Sequence, residues 1–485
     1  MTSSDLEESI FEARPEHPEE ACGVFGVYAP GEDVARLTYF GLHALQHRGQ
    51  ESAGIAVGDH ETVTVTKNLG LVSRVFKESD LDSLTGDVGI GHTRYSTTGS
   101  STSWENAQPH LSTIGRQVIA LAHNGNLVNT TVLRDELKDR GIKFRSTTDS
   151  EVIATLIGAF TQQHHHIRGG IRETMKLING AYGVVLVTED ALYAFRDPHG
   201  VRPLVLGKLD DRGWVVSSET CALDIVGADF VREIEPGEII KISADGVEAE
   251  QGVEAQKRSL CMFEFVYFAR PDSNLYDCSL YEARRRMGQA LAQEAPVEAD
   301  LVIGVPDSGI PAAIGFSHGS DVPYGEGLAK NRYVGRTFIS PSQTIRQQGI
   351  RLKLNPLKHA IAGKRIVVVD DSIVRGNTTR KLVQLLRDAG AAEVHMRITS
   401  PPVAWPCFYG IDTDTRDQLI AATHTVEEIR DHIGADSLAY LSLPAMVAAT
   451  GTKAEDFCLA CFDGQYPIEI PESVRRGKMV LESCG

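Results

Sequence analysis

KRIVVVDDSIVRGNTTRKLVQLLRDAG, residues 364–390, decides how the second half of this chain folds. A continuous apolar strand ends in two carboxylates, Asp370 and Asp371. It then crosses a polar loop carrying Ser372, Arg375, Gly376, Thr378 and Thr379, and opens a helix. A strand without polar alternation is buried on both faces, as in parallel sheets flanked by helices. ADLVIGVPDSGIPAAIGFSHG, residues 299–319, repeats the order of strand, loop and helix. Two such units predict a doubly wound α/β domain. Both loops then fall at the carboxyl ends of strands, where ligands of such sheets bind. Backbone N–H groups at a helix start, assisted by hydroxyls, suit a phosphate, and paired acids suit Mg²⁺ or sugar hydroxyls beside it.

Upstream, from Cys22 to about residue 250, the texture differs. Short apolar runs separated by turn residues read as strands: CGVFGVYAP, SAGIAVGD, VGIGHTRYS, QVIALAHNGNLV, AYGVVLVTED, ALYAFRD, PLVLGKLDDRGWVVSSET and EIIKIS. Helical spacing appears at 34–47 and from Ser150 to about Gln162. These features predict mainly antiparallel sheets covered by helices. Residues 246–259 turn polar and lose periodicity, which predicts a linker. HHH at 164–166 diverges in direction on a helix end, so a solvated surface is expected there rather than a metal site.

The chain has 485 residues, enough for two or three domains, and a net charge of −17 from 48 basic and 65 acidic residues. That balance offers no general basic surface to nucleic acid or an anionic membrane. The leader MTSSDLEESIFEARPEHPEEA is acidic and lacks the features of a secretory signal, and no apolar run is long enough to span a bilayer. A cytoplasmic protein is expected, and its eight sparse cysteines are then candidates for chemistry, metal binding or burial rather than a disulfide framework.

VVVDDSIVRGNTT resembles the phosphoribosylpyrophosphate (PRPP) signature of type I phosphoribosyltransferases, although Asn377 stands where a threonine is expected. The resemblance implies that Asp370 and Asp371 contact ribose hydroxyls and Mg²⁺, that the following loop cradles the 5-phosphate, and that Ser308 of VPDSG belongs to the pyrophosphate and metal loop. The stretch 330–357 concentrates basic residues; Lys330, Arg332, Arg336, Arg351 and Lys353 are candidates for a pyrophosphate cradle and a closing segment, a solvated basic surface being the alternative.

Cys22, taken alone, reads as a buried core cysteine. Its neighbours change that reading. ACGVFGVY, GLHALQHRGQESAGIAV, GIGHTRYSTTG, LAHNGNLVN and TTDSEVI together resemble the glutaminase domain of the N-terminal-nucleophile amidotransferases, a layered αββα fold. The resemblance implies that residues 1–21 are a removable propeptide and that Cys22 is the nucleophile, with its own α-amino group as base. It assigns Asn124 and Gly125 to the oxyanion hole, Arg94 to the α-carboxylate of glutamine and Asp149 to its α-amino group.

The expected layout is a propeptide at 1–21, a glutaminase domain at 22–250, a phosphoribosyltransferase domain at 260–465 and a tail at 466–485. Together the two resemblances imply a pentosyltransferase opening de novo purine synthesis. Ammonia released from glutamine would pass internally to displace pyrophosphate from PRPP. A sugar-phosphate aminating enzyme or a silent PRPP-binding regulator fits less well, because the former does not need the acid pair and the latter does not need intact Cys22, Arg94, Asn124 and Asp149. By spacing alone, Cys458 and Cys461 of CLAC leave zinc and iron–sulfur binding both open. The branch of the family with a propeptide adds Cys261 and Cys407 as ligands of a structural [4Fe–4S] cluster, and the family further implies a homotetramer inhibited by purine nucleotides.

Overall fold

The structure is a computed structural model that describes residues 22–95, 100, 103–115, 117–331, 353–411 and 415–471. Two antiparallel sheets form the first half. One has seven strands, in spatial order Asp229–Glu233, Val205–Leu209, Gly213–Ser217, Gly23–Tyr28, Val88–Arg94, Ser52–Gly58 and Val63–Leu69. The other has six: Gly246–Gln251, Glu238–Ser243, Leu192–Arg196, Gly180–Val187, Gln117–Leu127 and His110–Ile114. Small and branched side chains, among them Val24, Ala56, Ile90, Ala120, Ala122 and Val185, fill the seam between the sheets. Helices Val34–Ala44 and Thr220–Val226 cover the outside of the first sheet, and Thr130–Asp139, Asp149–His164 and Ile167–Leu177 cover the second. The layering is αββα, as expected.

Every strand anticipated in this half is present. The four strands not anticipated, Val63–Leu69, His110–Ile114, Asp229–Glu233 and Gly246–Gln251, are the four sheet edges. Edge strands carry polar side chains and lack the continuous apolar run of their central neighbours. The expected linker is corrected accordingly. Gly246–Gln251 pairs with Glu238–Ser243 over its whole length, so the connecting segment begins after it. At 164–166 the histidines are exposed, and His166 Nδ1 accepts from the Gly169 N–H at 2.9 Å, capping the next helix.

The second half holds a parallel sheet in the order Leu301–Gly304, Arg365–Asp370, Glu393–Ile398 and Ser437–Tyr440, with Tyr324 bridging beyond Val302. From Leu301–Gly304 the chain leaves toward one edge through helix Gly309–Ser320; from Arg365–Asp370 it leaves toward the other through helix Asn377–Asp388. The helices cover opposite faces, Phe316 packing with Val302 and Val367, and Leu382 and Leu386 with Ile366 and Val368. A crevice therefore opens where the winding reverses, at the carboxyl ends of the two strands singled out from sequence.

Leu260–Cys261, where the chain enters the second half, pairs in parallel with Phe457–Cys458, and the Cys261 N–H donates across to the Val201 carbonyl of the first half at 3.2 Å. Ile468 and Ile470 are buried in the same junction and Tyr409 Oη donates to the Ile468 carbonyl at 2.6 Å, so the expected tail begins as part of the core. Charged side chains are buried here too. Arg48 Nη2 donates to Glu264 Oε1 at 2.6 Å, Arg202 Nη1 reaches the same oxygen at 3.3 Å, and Arg48 Nη1 also pairs with Glu219. Burial pushes the Glu219 carboxyl up, but His47 and Arg48 beside it outweigh this and hold it well below the usual range. Removing one partner of such a set leaves uncompensated buried charge. Glu264→Ala is expected to destabilise the protein by about 3–5 kcal/mol, read as a lower urea midpoint; an unchanged midpoint would show that the network contributes little.

Candidate active site

Cys22 lies at the start of the central strand Gly23–Tyr28, and the paired register sets Gly23 opposite Thr93. That places Arg94 and Tyr95, where the neighbouring strand ends, beside the thiol, and Cys22 Sγ donates to the Tyr95 carbonyl at 3.1 Å. The facing sheet contributes Asn124 and Gly125 from Gln117–Leu127. Asp149 opens the helix Asp149–His164, whose N-terminal end favours a negative charge. Cys22, Arg94, Tyr95, Gln108, His123, Gly125, Thr148 and Asp149 line one small cleft.

Each side chain is held by its neighbours. Arg94 Nη1 donates to the Ser100 carbonyl at 3.2 Å and stands 3.7 Å from Glu51. Asp149 Oδ2 accepts from the Leu127 N–H at 3.0 Å, and Oδ1 lies 3.6 Å from His123 Nδ1. Burial raises the Asp149 carboxyl, but His123 and the hydrogen bonds from Leu127 and Ser150 more than offset it, so the group is ionised. Gly125 has φ +147°, and a Cβ there would sit 2.0 Å from the Ala181 carbonyl, so a side chain could not be accommodated without moving the strand. Burial pushes the Cys22 thiol up to about 12, with Arg94 opposing and Glu51 and Asp149 adding. Burial also pushes His92 down to about 3 and His110 well below its usual value, so neither is a base matched to neutral pH.

Sequence reasoning did not assign several supporting residues. Ser218 Oγ accepts from the Val24 N–H at 3.0 Å and meets Asn124 Nδ2 at 3.4 Å, joining the cysteine strand to the Asn124 strand. Gln108 Oε1 accepts from the His123 N–H at 2.8 Å. Arg48 Nε donates to the Cys22 carbonyl at 3.1 Å. Arg48 and Ser218 lie within stretches singled out from sequence and Gln108 lies outside them, but the partners of all three are remote in sequence.

In the second half, Asp370, Asp371 and Ser372 are buried at the crevice. Asp371 accepts from Ser308 Oγ and from Ser372 Oγ, both at 2.6 Å, which unites the VPDSG loop with the acid pair. Burial, reinforced by the neighbouring charge of Asp371, pushes the Asp370 carboxyl far up. Gly376 caps the helix beginning at Asn377, so Thr378 and Thr379 fall in its first turn, where backbone N–H groups have no helical acceptor. Arg375 reaches Gln418 at 3.5 Å. Lys330 pairs with Asp307 at 2.5 Å, and the strand Leu328–Lys330 pairs with Leu354–Pro356, which brings Lys330 and Lys353 to one end of that pair. Arg332, Arg336 and Arg351 lie outside the described residues. The backbone N–H groups of Thr399 and Ser400, two further residues not assigned from sequence, hold the Asp370 and Asp371 carbonyls at 3.0 Å.

The four cysteines of interest meet at the junction. Cys261 and Cys458 are direct partners in the paired register. Cys461 donates to Cys407, which favours the thiolate on Cys407, lowering it to about 6, and the thiol on Cys461. Among the described residues no three His, Cys, Asp or Glu side chains are grouped to hold a single metal ion.

Residues 92–224 match the glutamine amidotransferase domain family and residues 273–399 the phosphoribosyl transferase domain family, so one chain carries both classes of domain. The amidophosphoribosyltransferase of Synechococcus elongatus is 58% identical over 99% of this chain and 98% of its own, and that of Bacillus subtilis 49% identical over 93% and 95%. The solved glutamine PRPP amidotransferase of B. subtilis, complexed with ADP and GMP, superposes with a TM-score of 0.87 at 48% identity over 93% of this chain and 98% of that one. A solved structure described as the allosteric regulatory enzyme of purine biosynthesis gives 0.88 at 48% identity, over 93% and 97%. The chain belongs to the amidophosphoribosyltransferase family.

The raised thiol gives a direct expectation for the chain with residues 1–21 attached. A thiol with a pKa near 12 is almost wholly protonated at pH 8, so iodoacetamide should label Cys22 far more slowly than free cysteine. Peptide mapping after timed labelling measures this; complete labelling at the rate of free cysteine would contradict it.

Proposed function

We infer that the chain hydrolyses glutamine at Cys22 and uses the ammonia to displace pyrophosphate from PRPP, giving 5-phospho-β-ribosylamine, glutamate and pyrophosphate in purine synthesis. The observation that carries this reading is the convergence of Cys22, Arg94, Gly125 and Asp149 on one cleft, in a chain that also bears the Asp370 and Asp371 crevice.

With residues 1–21 removed, the α-amino group of Cys22 takes the thiol proton and the thiolate attacks the side-chain amide carbon of glutamine. Asn124 Nδ2 and the Gly125 N–H donate to the oxyanion that forms. Ammonia leaves with the transferred proton, and water hydrolyses the thioester to glutamate. The Arg94 guanidinium pairs with the glutamine α-carboxylate in a bidentate fork, and Asp149 accepts from its α-amino group. In the second site, ammonia attacks C1 of the ribose as the C1–O bond to pyrophosphate breaks. The loop from Ser372 to Thr379 holds the 5-phosphate, and Lys330, Arg332, Arg351 and Lys353 serve the pyrophosphate.

Two carboxylates and a hydroxyl make a donor set suited to a hard cation, so Ser308, Asp370 and Asp371 would hold Mg²⁺. When bound it neutralises charge on the leaving pyrophosphate. The convergence of Cys261, Cys407, Cys458 and Cys461 supports their holding a [4Fe–4S] cluster with a structural task, since neither half-reaction moves electrons. The ADP and GMP in the B. subtilis relative support feedback by purine nucleotides, and the family resemblance supports a cytoplasmic homotetramer. Among the described residues no helix is long and apolar enough to cross a membrane.

Three outcomes are expected. The purified active enzyme should begin at Cys22 by intact mass. Cys22→Ala should abolish glutamine-dependent synthesis while leaving synthesis from ammonium salts, and loss of both would mark Cys22 as structural. Replacing both Asp370 and Asp371 by Asn should suppress PRPP turnover from either nitrogen source; normal turnover would remove the acid pair from the reaction.

A further inference from the structure

The second half of the chain touches the glutaminase cleft at one point that the mechanism above does not use. Residues 407–411 run from Cys407 along the back of the strand bearing Asn124 and Gly125. Asn126 Nδ2 donates to the Phe408 carbonyl at 2.9 Å. The Arg202 guanidinium donates from Nε and Nη2 to the Tyr409 carbonyl at 2.9 and 2.7 Å. Gly410 has φ +104°, and a Cβ there would lie 3.0 Å from both the Gly125 carbonyl carbon and Arg202 Nη2. Gly125 and Gly410 thus press backbone against backbone, although 285 residues separate them in sequence.

We propose that the 407–411 segment braces the oxyanion strand, with Asn126 and Gly410 as positioning residues that fix the direction of the Gly125 N–H. The inference rests on the assignment of Gly125 to the oxyanion hole. A hole of this kind works only if its donors are already aimed where charge develops. Gly125 has no side chain of its own to anchor it, so its orientation depends on what packs around it. On one side that is the Ala181 carbonyl of the adjacent strand, and on the other it is Gly410. Asn126, next in sequence, ties the strand to the loop, and the buried Arg202 ties the loop back to the glutaminase half. The loop also begins at Cys407, so the segment that aims the oxyanion donor is anchored in the cysteine-rich junction.

The test uses the processed full-length enzyme with both nitrogen sources. Asn126→Ala and Gly410→Ala should each lower glutamine-dependent kcat roughly tenfold to a hundredfold, with the KM for glutamine and the ammonia-dependent rate within about twofold of the parent. A donor that acts in the transition state changes kcat rather than KM, and general loss of structure would lower both nitrogen sources together. Because both substitutions loosen the same segment from the same strand, the double variant should be no worse than the more damaged single one. Parallel loss of both activities, unchanged glutamine turnover, or additive effects would each overturn the brace. Asn124→Ala serves as the control. If it abolishes glutamine turnover while the other two variants leave it unchanged, the brace fails alone. If Asn124→Ala has no effect, the oxyanion assignment fails and the brace with it.

Discussion

One carboxylate from the connecting segment, that of Glu264, sits between two arginines of the glutaminase half. Arg48 and Arg202 are both inaccessible to solvent, and each also holds a backbone carbonyl: Arg48 that of Cys22, Arg202 that of Tyr409. Charges this deeply buried are tolerated only as a complete set. The consequence is geometric. Cys22, the connecting segment and the cysteine-bearing loop are tied together through this set, in which Glu264 joins the two arginines and Glu219 holds Arg48 a second time.

That constraint suits a reaction in two halves. Ammonia released from glutamine is useful at PRPP only if it arrives unprotonated and undiluted, which asks for two sites in fixed register. Both sites are assembled by the same logic. In each, the chemistry-bearing residue ends a largely buried strand, Arg94 beside Cys22 in one and Asp370 in the other, and a helix start completes the set, with Asp149 in one case and Thr378 and Thr379 in the other. Strand ends supply rigid placement, and helix starts supply oriented N–H groups.

Much of this was legible in the sequence because chemistry and central strands leave local marks. VVVDDSIVRGNTT shows its strand, acid pair and helix start within thirteen residues, and ACGVFGVY shows its cysteine against a buried strand. The edge strands were not legible, since GVEAEQ and DFVRE carry the charges that protect a sheet margin and so resemble loops. Supporting residues were hidden for a different reason. Nothing near Ser218 in sequence announces that its hydroxyl bridges Val24 and Asn124, and Glu264 becomes informative only when Arg48 and Arg202 are brought to it from 216 and 62 positions away.

The burial of Cys22 also bears on the proposal that its own α-amino group is the base. Burial keeps the thiol protonated, and the desolvated His92 and His110 are too weakly basic to relieve it. While Ala21 is attached, the nitrogen of Cys22 is an amide with no basicity. Cleavage before Cys22 turns that same nitrogen into an amine with a reference pKa of about 7.7–8.0, joined to the carbon that bears the thiol side chain. One hydrolysed bond would thus place a base on the same residue as the buried thiol it has to deprotonate.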